Sequence, residues 1–178
     1  THDYGRLAFD HRNSNHIIQG HFAEDNGYKD DSGFSQQKLR YKLKQEVNEW
    51  TLVHNINASN LEQETAGFVT GTDAYKDRNN RKKNLDPDAF RNAYSVRYHA
   101  VISRPTTDNG KFVITPYLRT NDMEFLMHFQ PGKPLEESGN HSAGFQSAYT
   151  RPFLSNTELT TGFDIDYSNG YLKQYQNT

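Results

Sequence analysis

The groups best suited to metal binding or proton transfer are eight histidines and a few acid pairs, and their spacing decides how far that chemistry goes. His16 and His21 stand five positions apart, which on a strand turns their rings to opposite faces, and no His-Glu-x-x-His arrangement occurs. Asp164, Asp166 and Ser168 begin like a calcium loop. Asn169 then stands where that loop needs its glycine, and Tyr175 where it needs its glutamate. Glu136 with Glu137, and Asp30 with Asp31, are expected in loops without a positioned nucleophile beside them. Catalytic residues, a metal site and a cofactor are therefore not expected, and neither is an enzyme.

Other groups suit noncovalent capture. Tyr28, Phe68 and Tyr75 offer rings for stacking, while Arg78 and Arg81, beside Lys82 and Lys83, form a basic cluster able to attract an anion. Met123, Phe125 and His128 combine apolar surface with one polar ring. For His128 the plainer expectation is a hydrogen bond to its own loop backbone.

The elements that must carry these groups show themselves by alternation. From Glu158 to Tyr167 the even positions read Glu, Thr, Gly, Asp, Asp and the odd positions Leu, Thr, Phe, Ile, Tyr. Successive strand side chains point to opposite sides, so one surface is apolar and the other acidic, as in a wall between lipid and water. Leu39, Tyr41 and Leu43 alternate with Arg40, Lys42 and Lys44, and Tyr94, Val96, Tyr98, Ala100 and Ile102 with Ser95, Arg97 and His99. Composition agrees. Only 33% of residues are hydrophobic, with a mean hydropathy of -0.99, too little for an ordinary soluble core. Yet 11 Tyr and 11 Phe argue against a disordered chain.

Strands are expected near 4–11, 16–24, 39–43, 50–58, 94–102, 112–118, 143–149 and 158–167. The connections between them alternate short turn and long loop, which predicts turns near Asn13, Asn48, Asp108 and Ser155 at one end and loops near Asp30, Tyr75 and Lys133 at the other. Asp86-Pro87 reads as the start of a short helix, and 130–140 as a loop. After Arg119 the apolar positions change from even to odd (Met123, Phe125, Met127, Phe129). Either a bulge resets the register, or the strand has left the membrane and its inner face lines a mouth. The fold class is all-β: an antiparallel up-and-down meander of about eight strands, part of a larger transmembrane β-barrel. Net charge is -2, which removes a global electrostatic case for nucleic acid, and the absence of Cys excludes disulfides and thiolate sites.

Three stretches carry a family resemblance: Gln63-Glu64-Thr65-Ala66-Gly67-Phe68 with Asp73-Ala74-Tyr75-Lys76-Asp77; Asp86 to Ala93; and Pro116-Tyr117-Leu118-Arg119 with Met123 to Phe129 and Pro131-Gly132. In order and spacing they resemble the barrel of TonB-dependent outer-membrane receptors of the siderophore type. The resemblance implies that residues 1–178 are a partial barrel domain, without plug domain or C-terminal closing strand, from a parent of about 22 strands. It implies a Gram-negative outer membrane, contact with its lipid, a plug in the same parent chain, and TonB acting through that plug. The cargo would be an iron chelate or other small nutrient. Tyr28, Phe68, Tyr75, Arg78, Arg81, Met123, Phe125 and His128 are its candidate contacts, and Arg40, Lys42, Arg97, Glu158 and Asp164 would hydrate the lumen and brace it against the plug. The alternatives are a passive porin or structural barrel and a soluble all-β carbohydrate-binding domain.

Overall fold

The structure is a computed structural model that describes residues 3–176. Eight strands form one sheet: β1 (Tyr4–Arg12), β2 (His16–Asp25), β3 (Phe34–Val47), β4 (Trp50–Glu64), β5 (Phe90–Pro105), β6 (Lys111–Leu126), β7 (Leu135–Leu154) and β8 (Thr157–Tyr175). Each pairs antiparallel with its sequence neighbours, in the order β1 to β8, and β1 does not pair with β8. The connections at one end are short: 13–15, 48–49, 106–110 and 155–156. At the other end they are 26–33, 65–89 and 127–134. The alternation read from the sequence is present at every connection.

Turn chemistry explains the short end. Asn13 Oδ1 accepts the backbone N–H groups of Asn15 (2.9 Å) and His16 (2.7 Å), closing the first turn. Asn48 takes a left-handed conformation (φ 54) that a two-residue turn between paired Val47 and Trp50 requires. At the third turn Asn109 (φ 58) does the same, while Thr106 Oγ1 donates to Asp108 Oδ1 at 2.6 Å. That bond, with one from the Tyr149 hydroxyl, holds the Asp108 carboxyl below its ordinary range.

Following directly opposed partners across the sheet sorts the side chains into two faces. One carries Leu7, Phe9, Ile18, Leu39, Tyr41, Leu43, Leu52, Ile56, Val96, Tyr98, Ile102, Ile114, Leu118, Phe145, Phe163, Ile165 and Tyr167. The other carries Asp10, Arg40, Lys42, Asn57, Arg97, Arg119, Gln146, Glu158, Asp164 and Asp166. On β5 the apolar face runs from Tyr94 to Arg104, about 34 Å along the strand and about 26 Å in height at a tilt near 40°, the height of a lipid-facing band. Trp50 lies on this face beside a short turn, with the Arg104 guanidinium 4.8 Å from its ring centre. That is an interfacial girdle position.

No second layer covers the apolar face. Among the described residues the buried hydrophobic ones are Ala23, Ala89, Ala100 and Met127, and no large side chain is fully buried. Phe163 is 59% and Ile165 54% exposed. A soluble domain buries such a face against another layer, so the soluble carbohydrate-binding alternative has no interior to rest on.

Three sequence expectations need correction. The change of parity on β6 is no bulge: β5 and β6 hold one register from Arg91↔Phe125 to Pro105↔Lys111, and β6 and β7 one from Lys111↔Thr150 to Leu126↔Leu135. The backbone continues and the composition of the faces changes, because β6 extends beyond the apolar band, where its outer positions are Asp122 and Glu124 and Met123 and Phe125 stay on the inner face. Glu136 and Glu137 belong to β7 rather than to a loop. At Asp86 there is one tight turn, closed by the Ala89 N–H on the Asp86 carbonyl at 3.0 Å, and no helix. The helical turns of that loop are two 3₁₀ segments, Ala74–Lys76 and Asn80–Lys82.

Candidate functional site

The inner face changes character near the long-loop end. Next to those loops, one ladder row crosses all eight strands: Tyr4, Asp25, Phe34, Gln63, Arg91, Phe125, Glu136 and Gln174, each opposite the next. One pleat farther in lie Arg6, Ala23, Gln36, Leu61, Ala93, Met123, Ser138 and Leu172. These rows add Phe34, Leu61, Met123, Phe125 and Leu172 to a face that is otherwise polar, among the charged groups Arg6, Asp25, Arg91 and Glu136. Arg91 Nη2 donates to Gln63 Oε1 at 2.6 Å and Gln174 Nε2 to Glu136 Oε2 at 3.0 Å, so polar members of the row are held in place around Phe125.

The third long loop reaches this row at Phe125. Phe125 and Phe129 have ring centres 6.0 Å apart, and His128 meets Phe129 edge-on at 5.7 Å. The expected backbone bond of the His128 ring is not made. Its Nδ1 is buried without a hydrogen-bond partner among the described residues. Such a nitrogen is a costly orphan unless something donates to it or accepts from it. The ring lies close to Gly67, where a Cβ would stand 3.7 Å from it and 2.9 Å from the Asp86 carboxylate.

Side-chain and backbone bonds tie the three long loops into one layer. The Lys29 ammonium donates to the Gly67 carbonyl. The Asp30 N–H donates to the Lys82 carbonyl at 2.9 Å, and Asn84 Nδ2 to the Asp31 carbonyl at 2.7 Å. Lys133 Nζ pairs with Asp86 Oδ1 at 2.6 Å, joining the second loop to the third.

The eight candidate contacts fall into two groups within this layer. Met123 and Phe125 share the inner face at the top of β6, and Phe129 links the ring of Phe125 to that of His128, while Phe68, next in sequence to Gly67, is exposed. Tyr28 is exposed on the 26–33 loop, next in sequence to Lys29. Tyr75 and Arg78 stand apart on the 65–89 loop, both exposed, with no hydrogen bond or ring contact to His128 among the described residues. Arg81 is half-buried, and its Nε has no hydrogen-bond partner among the described residues. Phe34, Leu61, Arg91 and Leu172 were missed from sequence. The signal was the inner parity of β3, β4, β5 and β8 carried a few residues beyond the expected strand ends.

No protein-family model matches the chain, and no curated protein sequence does. Solved structures do match. The chain resembles a protein in the structure of the FpvAI–pyocin S2 complex with a TM-score of 0.75 and 15% identity, over 98% of this chain and 26% of that one. It resembles the ferric citrate transporter FecA in its unliganded form with a TM-score of 0.68 and 15% identity, over 97% of this chain and 26% of that one. The chain therefore spans about a quarter of the length of these proteins. At that identity the likeness establishes architecture, and the architecture is that of part of a larger transmembrane β-barrel.

Proposed function

We propose that this chain forms part of the wall and outer loops of a TonB-dependent receptor in the outer membrane of a Gram-negative bacterium. The parent protein takes up an iron chelate or another bulky nutrient, driven by energy delivered through TonB to a plug domain of the same chain. This is a binding and transport role rather than an enzymatic one. The observation that carries it is the likeness of nearly the whole chain to a stretch of a ferric citrate transporter. The mouth supports the same reading, since it sets Phe34, Leu61, Met123, Phe125 and Leu172 among polar groups on the inner face, next to loops bonded into one layer. Such an opening suits retention of a bulky molecule better than free passage of solutes. Met123, Phe125, His128, Phe68 and Tyr28 make the near contacts, with Tyr75, Arg78 and Arg81 meeting the ligand from outside.

The test is uptake of radiolabelled ferric chelates by cells that express the full-length protein as their sole such receptor. Uptake should vanish when the gene for TonB is deleted, and Phe125→Ala should raise the concentration needed for half-maximal uptake several-fold. Uptake that persists without TonB would assign the parent to the passive porins.

A further inference from the structure

The apolar face of the wall has a notch near its upper edge. One ladder row on β5 to β8 reads Tyr98, Leu118, Ala143 and Tyr167, so a single methyl group stands between a leucine that is 57% exposed and a tyrosine that is 69% exposed. The strands that carry those two walls are two spacings apart, about 10 Å. With only Ala143 between them, the surface sinks into a concavity of about 480 Å³. Tyr98 bounds it beyond Leu118, and its hydroxyl is fixed by His54 Nδ1 at 2.9 Å. Two positions down β7 the band is filled again, where Phe145 packs edge-on against Phe163 at 5.6 Å.

The upper end of the notch is polar. In the next row toward the long loops stand Thr120, His141 and Asn169, which line the same concavity. Thr120 Oγ1 lies 2.8 Å from His141 Nδ1. The other ring nitrogen of His141 and the Asn169 amide have no hydrogen-bond partner among the described residues, and both side chains are exposed. Beyond that row the outer positions of β6 and β7 include Asp122, Glu124 and Glu137, against one cation, Lys173 on β8. The Tyr171 hydroxyl holds the Asp122 carboxyl below its ordinary range. From the middle of the band outward the order is therefore apolar slot, hydrogen-bonding groups, carboxylates. A lipid has that order when its hydrocarbon chain is followed by an ester linkage and by a headgroup that ends in an ammonium.

We propose that the notch holds one acyl chain of a phosphatidylethanolamine in the outer leaflet, with the chain on Ala143 between Leu118 and Tyr167, the ester carbonyl accepting from His141 and Asn169, and the ammonium facing Asp122 and Glu124. Continuity favours this occupant, because the notch opens within the surface that already faces lipid. Charge favours it too, because a headgroup of net negative charge would meet three carboxylates there. The site needs a transmembrane wall but no step of uptake, so either can fail without the other.

The full-length protein, delipidated in detergent micelles, is titrated with palmitoyl-oleoyl phosphatidylethanolamine and separately with phosphatidylglycerol of the same chains and with lipid A. Bound lipid is counted by native mass spectrometry. One phosphatidylethanolamine should be retained more tightly than either of the others. Ala143→Phe, which fills the notch with apolar surface, should weaken that lipid about tenfold, while Ile18→Phe, a ring added to the lipid face of β2, should leave it unchanged. His141→Phe should weaken it about threefold, the share of one hydrogen bond, and carries the test should Ala143→Phe fail to fold. Equal retention by these two variants and the parent, equal retention of phosphatidylglycerol, or preference for lipid A would overturn the site.

Discussion

At the scale of single residues, the wall depends on glycines roofed by rings from an adjacent strand. Phe9 covers Gly20, Tyr117 covers Gly144, and Tyr171 reaches across Gly139 to donate to Asp122 at 2.6 Å. A ring over a strand glycine fills the surface that the missing side chain leaves bare. At Gly144 a Cβ would stand 2.3 Å from the Ile165 carbonyl and 2.6 Å from the Tyr117 hydroxyl, which itself bonds Asp166. Gly144→Ala should therefore lower stability by about 1–3 kcal/mol, the usual cost of overpacking. At Gly170 the nearest atom would be 3.4 Å away, and Gly170→Ala should be close to neutral. Urea unfolding of the full-length protein in lipid vesicles measures both. None of this could be read from the sequence, because the pairing that sets Tyr117 opposite Gly144 depends on the register of two long strands. The candidate residues divide in the same way. Met123 and Phe125 stand out by type and parity, whereas the buried, unpartnered nitrogen of His128 depends on a loop whose path no local pattern encodes.

At the scale of the strand, alternation was legible almost throughout and boundaries were not. Leu39 to Lys44 and Tyr94 to Ile102 lie on the faces their parity assigns. Strand ends escaped because the solvent changes there while the backbone does not. Beyond Thr120 the outer face of β6 is wet and its inner face apolar, so the pattern inverts and looks like a break. Asp86 misled for another reason: its cap-like sequence forms a single turn, and its carboxylate is engaged by Lys133. The face assignment makes a sharp prediction on β8. Ile165→Arg, on the lipid side, should cost about 2–4 kcal/mol at the depth of the bilayer centre, while Asp164→Asn next to it, on the water side, should cost little. Comparison of their folding free energies into vesicles checks it. Equal effects would mean that the two faces meet the same solvent.

At the scale of the whole sheet, the meander was legible from the rhythm of short and long connections, while the joining of the long loops was not. Lys29, Asp30, Asn84 and Lys133 make that junction through backbone carbonyls and one carboxylate, groups that every loop possesses. Orientation can be tested directly because the chain holds no cysteine. Single cysteines at Asp122 and Glu124, introduced into a parent without exposed thiols, should react with a membrane-impermeant maleimide on intact cells. Cysteines at Leu118, in the lipid band, and at Ser155, in a turn at the opposite end, should react only after permeabilisation or not at all. One further consequence follows from the ladder row under the loops. The strands end beside that row at one end, yet β2 spans 10 residues and β7 20. With the short turns resting on one bilayer surface and the strands tilted, the crest climbs about 25 Å from β2 to β7. This stretch of rim is therefore lopsided, a low sill at β2 rising to a tall parapet over β6 to β8.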